Sequence, residues 1–96
     1  MPRLVWSDNA LRDIARLHGC LAAKSRSAAQ RAVAAIRHGV KPVGRDPMIG
    51  RLIEEMPSDF REWVVEFGRS AYVVRYQVVD SQVVIMAIRH GREEKY

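Results

Sequence analysis

Arg61-Glu-Trp-Val-Val-Glu-Phe67, Ala71-Tyr-Val-Val-Arg-Tyr-Gln-Val-Val79 and Gln82-Val-Val-Ile-Met-Ala-Ile88 are the three runs that decide the fold. In the first, Trp63, Val65 and Phe67 alternate with Glu62, Val64 and Glu66, the period of a strand with one wet face. Gly68-Arg69-Ser70 and Asp80-Ser81 separate the runs, so the segment predicts two consecutive antiparallel hairpins. The second and third runs are apolar on both faces. Tyr72, Val74, Tyr76 and Val78 share one face and Val73, Arg75, Gln77 and Val79 the other, while Val83, Ile85 and Ala87 oppose Val84, Met86 and Ile88. Two helices need only one such face to cover, so the surplus is expected to meet a partner protein.

Upstream, Leu4-Val-Trp6 reads as a short strand joining an edge of the sheet. Ser7 offers an oxygen to the orphan amides of a helix start, with Asp8 in the first turn. Leu11, Ile14, His18 and Leu21, flanked by Ala15 and Leu17, recur at helical spacing. Ser25 or Ser27 caps a second helix, whose stripe is Ala28, Ala29, Ala32, Val33, Ile36 and Val40. Gly39, Pro42, Gly44, Pro47, Gly50 and Pro57 then break the chain into a loop with a brief strand or turn at Arg51 to Glu54. The expected fold is α+β: a short N-terminal strand and a two-helix hairpin packed on a C-terminal antiparallel three-stranded meander, all one domain over residues 1–96.

With 96 residues, the chain buries roughly 60–68% of its unfolded surface. A content of 48% hydrophobic and 28% charged residues excludes a disordered chain. No apolar run reaches the roughly 18–20 residues of a membrane span, and the N-terminus lacks a signal peptide's segments, so a cytoplasmic location is expected. Cys20 is alone, which leaves it as a small buried apolar residue of the first helix, and no Cys/His set has zinc spacing; neither a metal nor a cofactor is expected. The net charge of +5 favours an acidic partner. Between Leu11 and Arg45, eight basic residues face the single acid Asp13, whereas Asp46 to Gly68 is mostly acidic. A solvated helix face kept soluble by charge is the competing explanation.

The order of these elements, and the pieces Leu4-Val-Trp-Ser-Asp-Asn-Ala-Leu-Arg-Asp13, Asp46-Pro-Met-Ile-Gly-Arg51, Tyr72-Val-Val-Arg-Tyr76 and Ile88-Arg-His-Gly-Arg-Glu93, resemble the RelE/ParE superfamily of toxins from type II toxin–antitoxin modules, ParE-like members in particular. The resemblance spans essentially the whole chain. It implies a small cytoplasmic toxin blocked by a cognate antitoxin, ParD-like or similar, in a hetero-oligomer. It implies as target either DNA gyrase, which ParE-like members poison, or the ribosome, where RelE-like members cleave messenger RNA.

RNA cleavage through the 2′-hydroxyl requires a base, an acid and cations around one phosphate. Arg75, His90, Arg92 and Tyr96 make that set on paper, and the resemblance places Arg75 on the strand bearing a catalytic arginine and Tyr96 near a terminal catalytic tyrosine. For a gyrase poison, Arg75, Arg89 and Arg92 are the candidate target contacts. Each residue also has a packing alternative: Arg75 lying beside Tyr72 and Tyr76 or paired with a neighbouring Glu, His90 bonded to backbone at a strand end, Tyr96 at a frayed terminus, Trp6 and Trp63 in core packing. Lysines, common near the catalytic arginines of RelE-like enzymes, number three here, and only Lys95 is near the tail. That favours gyrase, with the nuclease second and a non-toxic nucleic-acid-binding module using the helices third. With Asp80-Ser81 as a two-residue turn, Arg75 falls opposite Met86 and on the face away from Arg89; a one-residue shift unites them.

Overall fold

The structure is a computed structural model describing residues 2–93. It contains β1 (Arg3–Trp6), α1 (Asp8–Ala22), α2 (Arg26–Gly39), α3 (Lys41–Arg45), β2 (Arg51–Leu52), β3 (Phe60–Phe67), β4 (Ser70–Val79) and β5 (Gln82–His90). The predicted α+β meander is present as β3-β4-β5, but the sheet has five strands rather than three. Its order is β1-β5-β4-β3-β2, with β1 parallel to β5 and the other pairs antiparallel.

Both helices start at serine caps, where Ser7 accepts from the Ala10 amide and Ser25, not Ser27, accepts from the Ala28 amide. The breaker-rich loop holds two short regular pieces: the single turn α3, where Pro42 near the start needs no amide partner, and the two-residue strand β2 inside the expected Arg51 to Glu54 stretch. Helices α1 and α2 pack on the sheet face carrying Tyr72, Val74, Tyr76, Val83, Ile85 and Ile88. Ala29 and Ala32 are buried, and their small side chains let α2 approach closely. Trp63 lies partly buried against this core, its indole N–H donating to the Gly39 carbonyl at 2.7 Å.

Two side-chain expectations fail. Leu11 is 46% exposed, and the buried stripe of α1 is Ala10, Ile14 and Leu17; the helix is rolled so that Ala10 faces the core. Cys20 is exposed rather than buried, because that roll turns it outward on the side of α1 away from Leu11.

The most consequential departure is in the last hairpin. Asp80-Ser81 is indeed a two-residue turn, with Val79 opposite Gln82 and Asp80 at φ 52°, a left-handed conformation that Asp tolerates in such turns. Further along, Tyr76 pairs with Ile85 but Arg75 pairs with Ala87, leaving Met86 as an extra residue. This bulge moves Ile88 to the helix-covered face, where it is fully buried. It also places Arg89 opposite Val73, so Arg89 shares the uncovered face with Arg75.

The bulge is tied to the start of α1. The Met86 carbonyl accepts from the Ser7 hydroxyl at 3.2 Å and the Asn9 amide at 2.9 Å. Beyond Trp6, where β1 stops opposite Ile85, side chains of α1 replace the missing strand. Asp13 accepts the Ile88 N–H at 2.8 Å, and Arg16 donates to the Ile88 carbonyl at 3.3 Å, so the polar groups of Ile88 stay satisfied.

Candidate functional site

The uncovered sheet face is built from alternate residues of β3, β4 and β5. Across it Glu62 lies opposite Arg75, Val64 opposite Val73, Arg75 opposite Ala87, and Val73 opposite Arg89. Val64 and Val79 are exposed here, whereas Val73 and Ala87 are buried between their neighbours. Glu62 accepts from Arg51 at 3.1 Å and lies 3.5 Å from the Arg75 guanidinium, one carboxylate between two cations. Arg75 thus takes the ion-paired alternative, with its side chain only 30% exposed. Beside it, Gln77 donates to Asp59 at 2.8 Å.

His90 lies elsewhere. It pairs with Tyr72 across the strands and stands edge-on to that ring at 5.5 Å, on the side of the sheet that the helices cover. With Leu17, Cys20, Leu21 and Lys24 it borders a groove of about 370 Å³. Its Nδ1 accepts the Arg92 N–H at 3.1 Å, which leaves the proton of a neutral ring on Nε2. Arg92 is exposed in the turn that follows β5. Tyr96 lies outside the described residues.

A network the sequence reading missed holds that turn. The Glu93 carboxylate accepts the His90 N–H at 2.7 Å and the Arg16 guanidinium at 2.7 Å, while Arg89 donates to the Glu93 carbonyl at 2.6 Å. Burial pushes the Glu93 carboxyl up, but the His90 amide and the Arg16 charge outweigh it and hold the group below its ordinary 4.5. At the opposite end of the sheet, buried Tyr76 donates its hydroxyl to the Pro47 carbonyl at 2.6 Å and accepts from Gly50 N–H at 2.9 Å. Arg61 donates to the carbonyls of Met48 at 3.0 Å and Gly50 at 2.8 Å. Burial raises the Tyr76 phenol above its ordinary 10.0; the Gly50 amide and Arg61 pull it back in part, and Asp46 adds to the rise. This clamp holds a loop whose Met48 and Ile49 side chains face solvent.

The turn expected at Gly68-Arg69-Ser70 is shorter by one residue: Ser70 belongs to β4, so Phe67 lies opposite Ser70 and Glu62 opposite Arg75. No local signal marks the bonds of Asp13 and Arg16 to Ile88 and Glu93, which span 72 to 77 positions. Among the described residues no cluster of three or more His, Cys, Asp or Glu has metal-binding geometry, and no helix is long and apolar enough to cross a membrane.

Comparison with known proteins agrees with this architecture. Residues 4–95 match the family model of the ParE toxin of the type II toxin–antitoxin system, parDE. The chain is 34% identical over 86 residues to Toxin RelE3 of Caulobacter vibrioides, covering 90% of each protein. It is 33% identical over 89 residues to Toxin RelE1 of the same organism, covering 93% of this chain and 92% of the relative. Its fold is similar to a chain of the chromosomal ParDE toxin–antitoxin system from P. aeruginosa, with a TM-score of 0.79 at 21% identity, over 94% of this chain and 96% of that one. The five-stranded sheet with its helical hairpin, and a match running almost from end to end, make this chain a member of the ParE toxin family of type II toxin–antitoxin systems.

Proposed function

We propose that this toxin arrests growth by poisoning DNA gyrase, with Arg75, Arg89 and Arg92 as its target contacts, and that a cognate antitoxin, ParD-like or similar, neutralises it by direct binding. The observation that carries the choice of target is the separation of the candidate nuclease groups. Arg75 sits on the open sheet face, paired to Glu62, while His90 packs against Tyr72 on the helix-covered side. Proton transfer and charge stabilisation at one phosphate need their groups within about 3 Å of the reacting atoms. A protein–protein contact makes no such demand. The open face, where Val64 and Val79 stay exposed beside charged side chains, supports an antitoxin that covers it.

One observation favours ribosome-dependent messenger RNA cleavage as the second reading: the bulge places Arg75 and Arg89 on the same open face, a paired-cation surface suited to a phosphate backbone. Expressing the chain with and without its neighbouring reading frame tests toxicity and its relief. Purified protein is then assayed for gyrase-dependent DNA cleavage and for ribosome-dependent mRNA cleavage. On the gyrase reading, Arg89→Glu or Arg92→Glu weakens DNA cleavage and Tyr96→Phe leaves it intact. RNA cleavage abolished by Arg75→Ala and by Tyr96→Phe would establish the nuclease instead.

A further inference from the structure

The helical layer has a charge pattern that neither folding nor the proposed target contacts use. Arg12, Lys24, Arg26, Arg31, Arg37, Lys41 and Arg45 are all exposed on or beside α1, α2 and α3. The acids of these helices are only Asp8 and Asp13, and Asp13 is turned inward to the Ile88 amide. A helix surface selected for solubility alone mixes signs and places Glu or Asp four residues from Lys or Arg. Helix α2 has no acid at all, and it carries Arg26 in its first turn, where the helix dipole disfavours a cation. The molecule therefore keeps like charges together at some cost to local stability.

We infer that this outward helical surface binds the phosphate backbone of duplex DNA without regard to sequence, an activity separate from the contacts of the open sheet face. An acidic protein segment would require an apolar anchor as well as charge. The outward side of α2 presents Arg, Gln30, Ser27 and His38 around its alanines, and among the described residues the exposed large hydrophobic side chains of the helical layer come down to Leu11 of α1, one side chain rather than a patch. Phosphates need only cations and hydrogen-bond donors. Single strands are held chiefly by aromatic stacking, and α1, α2 and α3 contain no Phe, Tyr or Trp. A cationic helical surface without aromatic stacking platforms fits the phosphates on the outside of a duplex.

The test is fluorescence anisotropy of the purified full chain with a labelled 20-base-pair DNA of arbitrary sequence, titrated at 50–200 mM salt. Four phosphate contacts weaken binding about 100-fold over that range. The fourfold variant Arg12→Gln, Arg26→Gln, Arg31→Gln and Arg37→Gln loses most of that salt dependence, and the corresponding fourfold Lys variant keeps it. The Gln variant is first shown to melt like the wild type by circular dichroism, and a variant carrying only Arg12→Gln and Arg37→Gln, with half the effect, serves if it does not. Absence of duplex binding at 50 mM salt, an unchanged salt dependence in the Gln variants, or equal affinity for single-stranded DNA or for phosphatidylserine vesicles overturns the inference. None of these readouts involves gyrase or the ribosome, so the outcome is independent of the target proposed above.

Discussion

Replacing Tyr76 by Phe removes one oxygen and leaves the ring. The ring is fully buried, so its packing persists and no cavity opens. What disappears is the clamp on the loop before β2. The Gly50 N–H, in a buried bond at 2.9 Å, and the Pro47 carbonyl, part-buried at 2.6 Å, both lose their partner. Leaving a buried donor unsatisfied costs about 1–3 kcal/mol, and a carbonyl that water can reach costs about 1 kcal/mol. The expected loss is about 3 kcal/mol, equivalent to a fall in Tm of roughly 12–24 °C for a domain of this size. Urea titration and thermal melting of the two proteins measure it. A second signature is alkaline. The folded-state phenol titrates above 10.0, so its contribution is complete below pH 10 and is lost as pH rises through the higher folded value, the unfolded chain ionising first. Tyr76→Phe removes that part of the alkaline loss. Because Arg61 holds the same loop through the Met48 and Gly50 carbonyls, a cycle combining Tyr76→Phe with Arg61→Met should show a coupling of about 0.5 kcal/mol or more. A loss below about 1 kcal/mol, with unchanged alkaline behaviour, would refute the account of the loop as held by the phenol.

Ile88→Ala should cost about 2–5 kcal/mol, since the bulge buries this side chain completely, whereas Val64→Ala on the open face should cost well under 1 kcal/mol; equal losses in urea titration would contradict the register. Gly50→Ala should also destabilise, because a Cβ there would stand 2.8 Å from the Glu62 carbonyl oxygen and 2.8 Å from a Tyr76 ring carbon, and a melt equal to that of wild type would show that strand β3 yields easily. The Glu93 carboxylate titrates below 4.5 in the fold, so its contribution is present above that pH and fades as acid carries the protein through the lower folded value. With its partner Arg16 41% exposed, that contribution stays below about 1 kcal/mol, and Glu93→Gln should flatten the acid side of the stability profile by no more than this.

The three meander strands, both helices and their serine caps were legible because each is written locally: alternation for β3, three- and four-residue spacing for α1 and α2, and a serine oxygen within reach of an amide three residues on. The pairing of Glu62 with Arg75 hangs on one residue, Ser70, expected in the turn and found in β4. Uninterrupted alternation, however, puts Ala87 on the face of Ile85 and leaves Ile88 on the other, and the fold does the reverse. The extra residue at Met86 is admitted because Ser7 and Asn9 satisfy its carbonyl and because the core gains Ile88. That choice depends on residues more than 70 positions away, out of reach of any local pattern. With it went the grouping of the candidate site: Arg75 with Arg89 on the open face, and His90 against Tyr72 on the other. The same holds for Cys20 and Leu11, whose exposure reflects how α1 rolls against β5. Residue types and their spacing determined which elements form and which charges the chain carries. Only tertiary packing decided which side chains share a face, because in a sheet of period two a single unpaired residue exchanges the faces of everything beyond it.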